Sequence, residues 1–191
     1  MAPRTKAQFA QIRQNRKEEI AAAAMQLFAN HGFERTSISE IAKTAGVSKG
    51  LMYNYFKNKD LLVKEIVLEG LHQIMESLDF NFERELDRDT FIKLIDKDFE
   101  HLKNNADLWK LYTAVLTQPR VMELVKDELF TIVAPFMESV SRYFAKKGVK
   151  NPQAYGYFIG ALLDGIGLDY MFDSEHYPLE EIREIIIEKL L

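Results

Sequence analysis

The sequence predicts an all-α protein, with an N-terminal three-helix helix-turn-helix domain in residues 1–60 and a larger helical domain in residues 61–191. Apolar residues recur three, four and seven positions apart through most of the chain, which is the period of amphipathic helices. No stretch alternates apolar and polar residues for long enough to make a strand, and nine glycines and five prolines leave few breaks between helices. An apolar fraction of 47% is typical of a chain that folds around a core.

The first helix is predicted from about residue 15 to residue 30. Its apolar stripe consists of four residues that share one helix face, namely Ile20, Ala24, Leu27 and Phe28. Gly32 follows as the residue that ends the helix, because glycine adopts the positive φ of a helix cap without steric cost.

The second and third helices are short and each begins with a serine. Ser37 and Glu40 have the spacing of a capping box, in which each side chain accepts a hydrogen bond from the other residue's backbone N–H. Ser48 is expected to cap a third helix that runs through Tyr55, with Met52, Tyr55 and Phe56 facing inward. Asn58 is expected to cap a fourth helix that leads into the second domain.

Four residues in this region have the spacing of a helix-turn-helix motif. Ala42 is small where two short helices must cross closely, and Gly46 tolerates the positive φ of a tight turn. Val47 follows the turn, and Met52 packs from the second helix of the pair. Each residue is common by itself, but the four together at this spacing indicate a DNA-binding motif.

The outward face of the third helix decides between a DNA reader and an ordinary three-helix core. It carries small, polar or basic residues, and no acidic residue stands between Gly46 and Lys59. A helix that lies in the major groove needs hydrogen-bonding side chains and no negative charge. Gly50 should cost this helix about 1 kcal/mol relative to alanine. Close approach of the backbone to DNA would explain the glycine, and close packing of another helix would explain it equally well.

Three stretches of the sequence carry a family resemblance, which covers roughly residues 12–65. They are Phe33–Ala42 (FERTSISEIA), Ala45–Gly50 (AGVSKG) and Tyr53–Leu62 (YNYFKNKDLL). These stretches closely resemble the N-terminal domain of the TetR/AcrR family of bacterial repressors. The rest of the chain matches the family only in being helical and of suitable length.

The resemblance implies roles for individual residues of the first domain. Ser37 is implied to contact a phosphate, with Thr36 and Ser39 close by. Tyr53, Tyr55 and Lys59 are implied to contact further phosphates, although Tyr55 stands where many relatives have histidine and its ring could turn inward instead. Residues at the start of the third helix are implied to face base edges. The complete expected DNA-binding set is Thr36, Ser37, Ser39, Ser48, Lys49, Gly50, Tyr53, Asn54, Tyr55 and Lys59.

Charge is distributed unevenly along the chain. Residues 1–60 contain ten Lys/Arg and five Asp/Glu, whereas residues 61–191 contain fifteen Lys/Arg and twenty-four Asp/Glu, in agreement with the net charge of −4. A basic end on an acidic body suits a protein whose one end approaches a polyanion. The basic residues before and within the first helix either reach DNA or form a solvated tail; they are Arg4, Lys6, Arg13, Arg16 and Lys17.

Six further helices are predicted in the second domain, near residues 61–78, 89–104, 106–117, 120–147, 152–173 and 179–190. Pro135 is expected to kink or divide the helix that contains it. The segment 154–172 is apolar and rich in small residues, and Asp164 and Asp169 argue against a membrane span. We expect this helix and the helix near 120–147 to form a four-helix bundle between the two subunits of a homodimer, as the resemblance implies.

A small apolar or aromatic effector is the expected ligand of the second domain, because relatives of this family bind effectors there. The expected pocket residues are large and apolar or aromatic, namely Phe99, Trp109, Tyr112, Phe130, Met137 and Phe158. The expected mechanism is repression of a palindromic operator, with effector binding moving the two readers apart through the helix from about residue 58 to residue 78. A DNA-binding scaffold without an effector is the alternative, and an absent cavity would favour it.

Other function classes have weaker support. The chain contains no cysteine, which excludes disulfides and thiolate metal sites, and its polar N-terminus is not that of a signal peptide, so we expect a cytoplasmic protein. Glu69 and His72 have the spacing of a di-iron motif, but the necessary second pair is missing. A metal cluster of Asp164, Asp169, Asp173 and His176 is not compatible with helical geometry. We therefore expect no enzymatic activity, no cofactor and no metal.

Overall fold

A computed structural model describes residues 5–191, and these residues form helices and no strand, which confirms the predicted all-α class. Arg4, one of the basic residues considered above, lies outside the described residues. The helices within residues 5–191 are α1 (Lys6–His31), α2 (Ile38–Thr44), α3 (Lys49–Tyr55), α4 (Lys59–Ser77), α5 (Arg88–Asn104), α6 (Ala106–Leu116), α7 (Pro119–Lys146), α8 (Pro152–Phe172) and α9 (Leu179–Lys189).

Helix α1 begins nine residues earlier than the predicted start near residue 15. Thr5 and Gln8 form a capping box there, in which the Gln8 N–H donates to Thr5 Oγ1 at 3.3 Å and the Thr5 N–H donates to Gln8 Oε1 at 2.9 Å. Residues 6–15 are exposed all round, and even Phe9 and Ile12 face solvent. Apolar periodicity cannot reveal a helix that has no buried face, so the prediction missed these turns.

The described chain divides into two compact units, whose limits differ from the predicted boundary at residue 60. The first unit comprises the chain up to Gly70 together with the distant segment Leu111–Lys126, and the second comprises Leu71–Lys110 and Asp127–Leu191. Tyr112 shows why the segment joins the first unit, because its buried hydroxyl donates to the Val67 carbonyl at 2.9 Å. The Tyr112 ring also covers Gly70, where an added Cβ would lie 2.9 Å away from it.

The tight turn between α2 and α3 has the geometry that the sequence predicted. Gly46 has a φ of +64°, and the Val47 N–H donates to the Ala42 carbonyl at 2.9 Å. Ala42 is 3% exposed beneath the turn, so a larger side chain would not fit there. Asn58 caps α4 as expected, since its Oδ1 accepts the Leu61 N–H at 2.8 Å.

The second unit is built around an apolar cluster from α5, α7, α8 and α9. Its most deeply buried members are Phe91, Ile95, Val140, Phe144 and Ile159. Helix α8 packs on α7 through Gly156, where an added Cβ would lie only 2.7 Å from the Met137 carbonyl oxygen. A guanidinium–carboxylate pair, Arg183 with Asp96, joins α9 to α5.

Helix α7 continues through Pro135 without a break, so of the two expected effects of this proline, a kink or a division, the division does not occur. A proline has no N–H to donate to the carbonyl four residues earlier, which belongs to Thr131. The proline is exposed, so water or a ligand can approach that carbonyl. Across residues 5–191, the helices all fall short of the length and apolarity needed to cross a membrane.

Candidate nucleic-acid interface and ligand cleft

Seven of the ten expected DNA-binding residues are exposed on the α2–α3 pair. They share the outward face of the motif and are Ser37, Ser39, Ser48, Lys49, Gly50, Tyr53 and Asn54. Two predicted inward residues of this region, Met52 and Phe56, are 0% and 3% exposed. The short helix α3 is therefore held by its inner side and presents a polar outer side to solvent.

Serine side chains fix where α2 and α3 begin. Ser37 Oγ accepts the Glu40 N–H at 3.2 Å, and the Glu40 carboxylate accepts the Ser37 N–H at 2.7 Å, as the capping box predicted. The bonds from Ser37, first the backbone N–H, hold the pKa of Glu40 below its usual value. Ser48 Oγ accepts the Leu51 N–H at 3.1 Å. Each hydroxyl acts as an acceptor here, so its own proton remains a donor for an anion.

Gly50 is surrounded by open space on the protein's side. A Cβ added to Gly50 would have no described heavy atom of another side chain or helix within 4 Å. The sequence left two explanations for this glycine, and close packing of another helix is thereby excluded within the described chain. Close approach of DNA to the α3 backbone stays a prediction for this glycine.

Tyr55 is half-buried because Arg13 covers it. The Arg13 guanidinium lies 5.2 Å from the centre of the Tyr55 ring, and its Nη2 donates to the Asn54 carbonyl at 3.3 Å. A cation at the C-terminal end of a helix interacts favourably with the helix dipole. Arg13 thus holds the end of α3. The sequence did not predict this role, because Arg13 and Asn54 are 41 positions apart in the chain.

Thr36 belongs to the expected DNA-binding set, but the structure buries it. Its side chain is 2% exposed, and its hydroxyl donates to the Gly32 carbonyl at 2.9 Å. Burial and this bond tie Thr36 to the turn between α1 and α2. The threonine therefore stabilises the turn and presents no group to a ligand.

Lys59 also has a different role from the implied phosphate contact. Its ammonium group donates to the carbonyls of Phe33, Glu34 and Thr36, at 2.7, 3.2 and 3.0 Å. The same group lies 4.3 Å from the centre of the Phe33 ring, where the ring face attracts a cation. An ammonium has three protons, and these three carbonyls use all of them. Lys59 therefore holds the α1–α2 turn in this structure.

The second unit contains a cleft of about 730 Å³ at the end of α4 and the middle of α7. Aromatic and apolar side chains make much of its wall, and His72, Glu76, Asp79 and Arg84 add charged or titratable groups. Phe82 is fixed in the wall by edge-to-face contacts with Phe80 and Phe136, at centroid distances of 5.2 and 5.9 Å. Such a volume is within the range of small-molecule sites.

The six expected pocket residues do not line this cleft. Phe99 is 3% exposed inside the apolar cluster, whereas Phe130 and Phe158 are 61% and 48% exposed. Tyr112 belongs to the first unit, and burial raises the pKa of its hydroxyl. Met137 packs on α8, and Trp109 contacts His101. Apolar character alone could not separate cavity walls from core and outer surface, so the sequence did not identify the residues that line this cleft.

Two carboxylates of the second unit affect each other. Burial, and then the neighbouring Asp164 carboxylate, raise the pKa of Asp98 to about 7. Burial also raises the pKa of Asp164. In the part of the chain that the structure describes, no three His, Asp or Glu side chains are close enough to hold a metal ion, and the cluster of Asp164, Asp169, Asp173 and His176 is not formed.

Comparison with protein families gives a match to the first unit. The model of "Bacterial regulatory proteins, tetR family" matches residues 20–66. This range begins inside α1 and ends inside α4, so it contains the whole α2–α3 pair.

Similar proteins include regulators whose matches extend over most of the chain. The "Fatty acid metabolism regulator protein" of Bacillus subtilis is 24% identical, with 91% of this chain and 92% of the relative covered. The "Probable acrEF/envCD operon repressor" of Escherichia coli is 34% identical over 51% of this chain and 42% of the relative. The crystal structure of FadR from Bacillus subtilis in complex with stearoyl-CoA has a TM-score of 0.71 at 20% identity, covering 90% of this chain and 95% of that one.

Replacing Lys59 by methionine tests its place in the turn. Lys59→Met should lower the free energy of unfolding by about 2 kcal/mol, because three carbonyls lose a charged donor. The salt dependence of DNA binding should keep its slope, since no phosphate contact is lost. Urea denaturation and DNA titrations at several salt concentrations measure the two effects. Lys57→Met, an exposed neighbour, is the control. A slope reduced by about one with unchanged stability would restore the phosphate contact.

Replacing Gly50 by alanine separates stability from DNA binding. Gly50→Ala should raise the free energy of unfolding by up to about 1 kcal/mol, because alanine favours helix and its Cβ meets open space. DNA affinity should fall, because the Cβ occupies the space that the ligand needs. Gly156→Ala is the matched contrast and should lower stability, since its Cβ meets a backbone carbonyl at 2.7 Å. DNA affinity that stays unchanged in Gly50→Ala would contradict the close approach.

Proposed function

Because the chain belongs to the TetR family of bacterial regulatory proteins, we propose that it is a dimeric repressor that an amphipathic small molecule releases from a palindromic operator. The outer face of α3 is the observation that carries the DNA-binding part of this proposal. Lys49 and Asn54 are of the types that bind guanine and adenine edges in the major groove, and both are exposed there. The proposed role is regulatory rather than enzymatic, and its place is the cytoplasm, where bacterial DNA lies.

A second copy of the chain is the proposed partner for the outer face of α8. Its exposed residues are mostly apolar or small, with Gln153, Asp164 and Asp169 the polar ones. The apolar or small residues are Ala154, Tyr157, Phe158, Ala161, Gly165, Leu168 and Phe172. Phe172 is 81% exposed and Tyr157 is 67% exposed, which is unusual for large rings on a monomer. Exposed apolar residues on α7 and α9 are fewer, with Phe130 and Ile185 the large ones. We therefore assign the main dimer contact to α8.

The cleft lined by α4 and α7 is the proposed effector site. Its aromatic wall suits an apolar chain or ring, and the exposed Arg84 together with His72 suits an acidic head group. An amphipathic anion fits both features if its head group contacts Arg84 and His72, because the Glu76 and Asp79 carboxylates of the same wall repel it. The similar fatty acid regulator and the stearoyl-CoA complex of FadR support a long acyl compound as the first ligand to test.

Selection from random DNA tests the proposed DNA binding. The selected sequences should contain an inverted repeat with half-sites about one helical turn apart, because two related readers bind symmetrically. Lys49→Ala should relax the preference at one or two base positions, whereas Lys43→Ala, exposed outside the proposed reading face of α3, should not. Binding without sequence preference would contradict the repressor function. A single unrepeated half-site would contradict the dimer.

Ligand titration tests the effector site. Stearoyl-CoA should weaken operator binding by the wild-type protein, and Phe82→Ala should weaken stearoyl-CoA binding at least tenfold, since a buried ring contributes roughly 1.5–3 kcal/mol. Arg84→Ala should weaken the binding of stearate more than it weakens the binding of stearyl alcohol, which has the same chain and no charge. Phe130→Ala, from the predicted pocket, is the control. Loss of binding in Phe130→Ala but not in Phe82→Ala would place the ligand elsewhere.

A further inference from the structure

The segment Leu111–Lys126 is part of the same compact unit as the helix-turn-helix, although more than 40 residues separate the two in sequence. Gln118 lies in the two-residue joint between α6 and α7. Its side chain reaches the turn that joins α1 to α2, across 85 to 90 positions of the chain. The joint therefore has a direct connection to the start of the DNA-reading motif.

Gln118 makes three hydrogen bonds with its side chain amide. Its Oε1 accepts the Phe33 N–H at 2.6 Å, and its Nε2 donates to the carbonyls of Phe28 at 2.9 Å and Ala114 at 2.8 Å. Phe28 and Phe33 lie on the two sides of Gly32, which has a φ of +86°. Gln118 thus bonds both ends of the sharp bend that ends α1.

Lys59 holds the same turn from its other side. Gln118 bonds the backbone up to the Phe33 N–H, and the Lys59 ammonium bonds the carbonyls from Phe33 to Thr36. The next residue is Ser37, where α2 begins. The position of α2, and of α3 that packs on it, therefore depends on a turn clasped by two side chains from distant parts of the chain.

Both side chains belong to segments that continue to the proposed effector cleft. Lys59 is the first residue of α4, and His72 and Glu76 on the same helix line the cleft. Gln118 immediately precedes α7, whose Thr131 and Pro135 line the cleft as well. Each helix is continuous between its cleft residues and its first residue, so a displacement at the cleft wall has a covalent and hydrogen-bonded path to the helix start. Arg120 adds an ion pair to Asp60 at 3.0 Å, but exposed pairs of this kind contribute little.

We propose that Gln118 is a positioning residue that, with Lys59, clasps the α1–α2 turn in its DNA-binding form and releases it when the cleft is occupied. The release step rests on the proposed effector function. The clasp itself is independent of it, since its hydrogen bonds join residues of the first unit only. Loss of the clasp should mimic the ligand, which gives the proposal a distinctive signature.

The experiment compares Gln118→Met, which keeps side-chain length without hydrogen bonds, with Gln118→Glu, which keeps an acceptor for the Phe33 N–H. Thr117→Ala is the matched control, because Thr117 is the other residue of the joint and its hydroxyl donates to the Thr113 carbonyl of the preceding helix α6, not to the turn. Operator affinity, affinity for unrelated DNA, and stearoyl-CoA affinity without DNA are measured for each. Circular dichroism after each titration records the folded fraction.

Gln118→Met should bind the operator at least about tenfold more weakly, because the two hydrogen bonds lost at the turn together correspond to a factor of that size or more. Its affinity for unrelated DNA and its salt slope should equal those of the wild type. Its stearoyl-CoA affinity should rise, because binding coupled to release is reciprocal. Gln118→Glu should fall between Gln118→Met and the wild type. Damage to the fold would lower both affinities and could not raise one of them.

Equal operator affinity in Gln118→Met and Thr117→Ala would overturn the clasp, whatever stearoyl-CoA does. A weaker operator complex with unchanged or weaker stearoyl-CoA binding would overturn the coupling. If stearoyl-CoA does not bind the wild type, the proposed effector is wrong, while a selective loss of operator affinity in Gln118→Met still supports the positioning role. The two failures are therefore distinguishable.

Discussion

The hydrogen bonds of the short turn between α1 and α2 are the constraint on which the DNA-reading unit depends. A helix that ends at a glycine with positive φ leaves backbone carbonyls and N–H groups without helical partners. Such groups are costly when water cannot reach them. Here Thr36, Lys59 and Gln118 supply the partners, and the last two come from other parts of the chain. Tertiary structure thus completes what the local sequence leaves open.

A recognition helix of seven residues needs such support, because isolated helices of this length are unstable in water. Packing of Met52 and Phe56 fixes the inner side of α3, Ser48 fixes its start, and Arg13 fixes its end. Each contact restrains one part of a helix whose outer side must stay free to bind DNA.

The sequence predicted the caps and turns that form between residues close to each other in the chain. Ser37 with Glu40, Ala42 with Gly46, and Asn58 interact within a few residues, so their spacing predicted the caps and the turn that the structure contains. The start of α1 was not predicted, because its first turns have no buried apolar face. Lys59 and Gln118 were unpredictable for a different reason, since their partners are brought close only by the fold. The cleft was also not predicted, because aromatic residues have the same spacing in the sequence whether they line a cleft or pack in a core.

Pro135 gives α7 a mechanical property that the other long helices do not have, because none of them contains a proline in its interior. Its missing N–H removes one rung from the hydrogen-bond ladder at the cleft wall. A helix bends most easily where a rung is absent, so the elastic resistance of α7 is lowest at that turn. Pressure from a bound molecule at this point would change the direction of the helix axis rather than its length. The turn of α7 that bends most easily is therefore the turn that a ligand in the cleft would contact.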